Sequence, residues 1–84
     1  MNLQFKNVTT DVFDKLKEEM NKIGVDIEGE HGDITTKGIE GSFNRDTEKE
    51  TLEIAIEKTP FILPKRLVIH TITKVITENG GEVA

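Results

Sequence analysis

The chain has 84 residues, of which 35% are hydrophobic and 32% charged; eleven basic and sixteen acidic side chains give a net charge of −5, and there is no cysteine. That length sets one domain spanning 1–84 with a small core, and the missing thiols exclude disulfides, thiolate metal centres and thiol nucleophiles. Four cations stand against seven acids in residues 1–32, four against seven in 33–59, and three against two in 60–84, so no basic stripe signals a nucleic-acid partner or an anionic membrane surface. No run approaches the roughly 18–20 apolar residues of a membrane span, and Met1–Lys6 lacks the apolar core of a signal peptide. The expected location is cytoplasmic.

Asn2–Asn7 places Leu3 and Phe5 on one side and Gln4 and Lys6 on the other, the alternation of a short strand. A helix follows. Thr9 is suited to its N-cap, and Val8 and Phe13 occupy the two positions of a hydrophobic staple. Asp11 and Asp14 fall where the helix dipole favours negative charge. Val12, Phe13, Leu16, Met20 and Ile23 form one apolar stripe, and Gly24 ends it.

Val25–Glu28 alternates and reads as a further short strand, and Gly29–Asp33 has the composition of a turn. From Ile34 to Arg45, Ile39, Gly41 and Phe43 share one parity and Ile34 has the other. Either a bulge near Gly38 switches the register or Ile34 faces the opposite side. Arg45–Glu50 reads as a charged turn. Thr51–Lys58 is the clearest strand of the chain, with Leu52, Ile54 and Ile56 alternating with Glu53, Ala55 and Glu57. Ile39 and Phe43 are expected to face the same core.

Leu67–Thr77 carries two signals. Its β-branched residues favour a strand, but Val68, Ile69, Ile72, Val75 and Ile76 follow helical spacing. Pro64 before the run and Asn79-Gly80-Gly81 after it decide for helix. Glu82–Ala84 reads as a frayed end. The resulting fold class is α+β: a two-layer sandwich in the order β-α-β-β-β-α. Its antiparallel sheet has three to four strands and two amphipathic helices on one face.

Chemistry-bearing residues are sparse. Gly38-Ile39-Glu40-Gly41 matches the GxxG loop of KH RNA-binding domains, but it lies in a strand pattern and carries an acid, so it reads as strand glycines. Glu30, His31 and Asp33 make a poor metal set, read as a solvated turn. Asn44, Asp46, Glu48 and Glu50 alternate like a calcium loop without its glycine or its distal glutamate. His70 reads as a surface histidine. Glu40, Glu53 and Glu57 share the open face of the sheet, where carboxylates ordinarily serve solubility. No catalytic, metal or cofactor residue is assigned.

Pro60-Phe61-Ile62-Leu63-Pro64 is the most unusual stretch, three large apolar residues between two prolines. It reads as a stiff corner that plugs the core. The alternative is an exposed knuckle that docks a partner or lipid.

At Gly38-Ile39-x-Gly41-Ser42-Phe43, Asp46, Thr51-Leu52-x-Ile54 and Thr59-Pro60-Phe61-x-x-Pro64, about two-thirds of the chain resembles a group of small uncharacterised bacterial proteins. They share a helix, a Gly-rich hairpin, a Pro-Phe…Pro corner and a closing helix. The layout is also similar to that of the polyhydroxyalkanoic-acid-system proteins. Both resemblances imply a fold and neither implies a functional residue. The expected function is therefore a non-catalytic binding or self-association module. It would meet a protein partner or a second copy through an edge strand, the open face (Glu40, Glu53, Glu57) or the corner (Phe61, Ile62, Leu63). The alternatives are a carrier or sensor of a small hydrophobic ligand between helices and sheet, and a minimal enzyme pairing those glutamates with His70.

Overall fold

A computed structural model describes residues 2–36 and 38–84. Its elements, in order, are β1 (Asn2–Lys6), α1 (Thr10–Lys22), β2 (His31–Thr36), β3 (Ile39–Asp46), β4 (Thr51–Lys58), α2 (Lys65–Glu78) and β5 (Glu82–Val83). The strands form one antiparallel sheet in the order β2-β3-β4-β1-β5. Side chains from both helices and one face of the sheet share a single apolar core, leaving the other face open.

The two helices end by the same device. In α1, Gly24 takes φ 89°; its amide donates to Asn21 O at 3.0 Å, and the Val25 amide donates to Met20 O at 2.9 Å. In α2, Gly80 takes φ 106°, and the Gly81 amide donates to Ile76 O at 2.8 Å. Both are Schellman closures, in which a left-handed residue lets the last carbonyls find donors. At the start of α1 the Thr9 hydroxyl accepts from the Val12 amide at 3.3 Å, and Val8 and Phe13 are both buried. α2 is helical despite its β-branched content. Val68, Ile72, Val75 and Ile76 are buried on one side, and the Thr71 and Thr77 hydroxyls donate back to Leu67 O and Thr73 O at 3.0 and 2.9 Å. Burial of the stripe outweighs the few tenths of a kcal/mol per residue that β-branching costs a helix.

Five expectations are corrected. Val25–Glu28 is not a strand: Val25 and Ile27 are buried, but the segment crosses from α1 to the sheet outside any strand. His31–Asp33 is the first half of β2, not a turn. Ile34 reaches the core because β2 and β3 form a hairpin closed at Gly38 (φ 84°), which sets Ile34 opposite Gly41. The bulge lies one step further on, between β3 and β4, where Glu40 faces Lys58 and Gly41 faces Ile56. Gly41 is required there, since an added Cβ would stand 2.1 Å from Ala55 O. Ile23 caps α1 and is 42% exposed. Finally, Glu82–Ala84 is not frayed: Phe5 pairs with Val83 and Lys6 with Glu82, and the Ala84 amide donates to Gln4 O at 2.9 Å. β1 is thereby an inner strand, and the order is β-α-β-β-β-α-β.

Candidate functional site

Three places break the ordinary rule of polar outside and apolar inside or collect polar groups in a depression. The first is the open face of the sheet. The register sets His31, Asn44, Glu53 and Gln4 in one row across four strands, and Asp33, Ser42, Ala55 and Asn2 in the next. Ser42 and Ala55 are the small residues of this surface, and the face dips there into an open depression of about 500 Å³. Strand spacing puts the His31 and Glu53 backbones about 10 Å apart, with Asn44 between them. Both side chains are exposed. His31, Asn44, Glu53 and Gln4 present donors and acceptors to solvent, and Ser42 is half-buried between strands.

The predicted glutamates are not brought together. Glu53 lies in the depression, and Glu57 lies four residues along the extended strand, about 13 Å away. Glu40 stands beside the bulge, 3.8 Å from Lys58 Nζ. His70 is on the exposed side of α2, in a groove with Lys15, Glu19 and Lys74, so the sheet and the core separate it from all three. The histidine that shares a face with Glu53 is His31, which parity could have revealed had His31–Asp33 been read as strand. The calcium-like alternation is divided too. Asn44 belongs to β3, and Asp46 Oδ1 accepts from the Glu48 and Lys49 amides at 3.0 and 3.1 Å, closing the β3–β4 turn. Among the described residues no group of three or more His, Cys, Asp and Glu side chains could hold a metal ion.

The second place is Arg45, whose side chain is 2% exposed. Its Nε and Nη2 donate to Val8 O at 3.2 and 3.1 Å, and Nη2 also reaches the Thr10 hydroxyl at 3.4 Å. Nη1 donates to Glu30 Oε2 at 2.9 Å, and the guanidinium lies 5.3 Å from the Phe13 ring centroid. Arg45 thus ties the β1–α1 corner to β3 and to the segment entering β2. It is not part of the turn that the sequence placed at Arg45–Glu50. The signal was present, because Arg45 continues the core parity of Ile39, Gly41 and Phe43. The same contact explains why Glu30 does not join His31 and Asp33: its carboxylate is held toward Arg45.

The third place is the corner from Pro60 to Pro64. Phe61 is 100% exposed and Ile62 87%, while Leu63 is partly buried against the core. The expected plug is therefore Leu63 alone, and the corner is an exposed knuckle. It is built stiffly. The Leu63 amide donates to Pro60 O at 3.0 Å, and the amides of Leu67 and Val68 donate to Pro64 O. Pro60 abuts the β2–β3 hairpin, where a Cβ on Gly38 would lie 3.3 Å from its ring. Lys65 Nζ donates to Glu57 O at 3.1 Å. With φ fixed at both prolines and Leu63 seated in the core, the two residues between them project outward.

Among the described residues no helix is long and apolar enough to cross a membrane. No family model matches the chain, and no curated protein or solved structure is significantly similar to it.

Proposed function

We propose that this protein is a small non-catalytic docking module and that the Pro60–Pro64 knuckle is the element that docks. The observation that carries the proposal is the exposure of Phe61, in full, and of most of Ile62 on a corner hydrogen-bonded on both sides. Two adjacent large apolar side chains in water forfeit roughly 1.5–3 kcal/mol each relative to burial, and a chain gains from presenting them only where something outside covers them. In the open-face polar row His31 and Glu53 are both exposed to solvent, which favours docking over a catalytic cleft. The space between helices and sheet is filled by side chains such as Phe13, Leu16, Ile54 and Ile72, which favours docking over a ligand carrier. Cytoplasmic residence and kinship with the small bacterial proteins of the Pro-Phe…Pro corner type belong to the same proposal.

The test is site-specific photocrosslinking in the source cell. A benzoylphenylalanine replacing Phe61 is expected to capture a defined cellular component. The same group replacing Glu18, exposed on α1, is expected to capture none. Equal capture at both positions, or none at either, would contradict the proposal.

A further inference from the structure

Given the docking reading, we propose that the surface met by the knuckle is an anionic lipid layer. Phe61 and Ile62 enter the headgroup boundary, and Lys58, Lys65 and Arg66 lie against the lipid charge. The charge distribution carries this furthest. From Lys58 to Thr77 there is no acidic residue, whereas Lys58, Lys65, Arg66 and Lys74 fall within that window. The window is +4; the rest of the chain has seven cations against sixteen acids and is −9. An acidic protein has thus placed the apolar tip in the one long stretch free of acids.

Three of these four cations flank the tip in the chain, while Lys74 lies further along α2 in the groove with Lys15 and Glu19. Lys58 ends β4 just before the corner, with its side chain 72% exposed. Lys65 and Arg66 open α2 just after it, and Arg66 is exposed. Leu67, 49% exposed, follows them. Two acids meet these cations: Glu40 lies 3.8 Å from Lys58, and Glu57 accepts from Lys65 through its main-chain carbonyl. Cations around a projecting apolar pair match the two contributions of interfacial anchoring, apolar insertion and attraction to anionic headgroups.

Size argues against a protein occupant. A stable complex buries about 800 Å² per partner, and Phe61 with Ile62 supplies roughly half of that or less, with half-exposed Leu67 as the apolar neighbour and Lys58, Lys65 and Arg66 beside it. The open-face depression offers a second copy a mixed lining rather than an apolar socket, with Asp33, Asn44 and Glu53 beside Ala55, Phe43 and Ile54. A lipid layer imposes no such area threshold, because each inserted side chain and each cation adds to the attraction.

The chain contains no tryptophan, so Phe61→Trp is a single reporter at the tip. Its emission should shift to the blue with vesicles of mixed phosphatidylcholine and phosphatidylglycerol, and stay unchanged with phosphatidylcholine alone. Glu18→Trp should not shift with either. In flotation, the intact chain should float with the mixed vesicles and less so as salt rises. Phe61→Ser/Ile62→Ser and Lys65→Gln/Arg66→Gln should each lower the bound fraction about tenfold, with unchanged circular dichroism. No shift and no flotation, with photocrosslinking at position 61 still capturing a protein, would overturn the lipid occupant and leave the docking reading intact. A vesicle-free dimer abolished by Phe61→Ser/Ile62→Ser would overturn it in favour of a second copy. Undiminished flotation of that double variant would overturn the role of the knuckle.

Discussion

Arg45 and the Phe61–Ile62 pair are inversions of the same rule at two corners of one sheet. Arg45 is a charge carried inside, where the Val8 carbonyl, the Thr10 hydroxyl, Glu30 and the Phe13 ring meet its guanidinium. Phe61 and Ile62 are apolar side chains carried outside, at 100% and 87% exposure. The difference lies in where the compensation is found. A buried guanidinium is tolerated when its donors are matched within the fold, so Arg45 is explained by the chain alone. The exposed pair has no such internal match, and under the docking proposal its match is another surface.

That contrast can be broken at several points. The largest expected effect is on the shared core beneath both corners. Ile54→Ala should lose about 2–5 kcal/mol, and Glu53→Ala, its neighbour on the open face, should be nearly silent. Similar denaturation midpoints for the two would dissolve the assignment of faces. Next comes Arg45→Ala. It removes a packed stem and leaves the Val8 carbonyl without its donors, for a loss of roughly 2–4 kcal/mol. Glu30→Gln should cost under about 1 kcal/mol, because its carboxylate is partly in water. Removing residues 82–84 should cost about 1–2 kcal/mol through the lost pairing with β1, read as faster hydrogen exchange at the amides of β1.

The smallest effects should come from solvated groups. Lys22 donates to Glu19 at 3.0 Å on α1. That hydrogen bond holds the Glu19 carboxyl below its usual range and raises Lys22. Glu19's contribution is present above its unfolded value and lost as pH falls through the lowered folded one. Lys22's contribution is present below its unfolded value and lost as pH rises through the raised one. Lys22→Gln should flatten the acid limb of helix content slightly in circular dichroism. A large change would assign this exposed pair an importance its solvation does not support.

Legibility in the sequence followed pattern length. β4 and α1 each repeat their period several times, and their buried faces match the expectation except at Ile23, which caps α1 and is exposed. β5 has two residues, too few to show a period, and its pairing depends on the Gly80-Gly81 reversal bringing it beside β1. β2 was hidden by its composition, because His31-Gly32-Asp33 looks like a turn until Gly38 is recognised as the hairpin. Arg45 was legible by parity, but its charge made the turn reading more natural. The corner was legible as unusual and ambiguous in direction, since only packing decides which of three apolar residues is seated. The basic window was obscured by the division at residue 60, which put Lys58 with the acidic middle and Glu78 and Glu82 with the cations.

The division between a corner explained from within and one explained from without is tested most directly by one urea titration series. It places the intact chain beside Arg45→Ala and Phe61→Ser/Ile62→Ser. The double variant is expected to unfold within about 0.5 kcal/mol of the intact chain and with the same slope, while Arg45→Ala shifts far below both. A double variant destabilised as much as Arg45→Ala would mean that the knuckle belongs to the core and that its exposure serves no second surface.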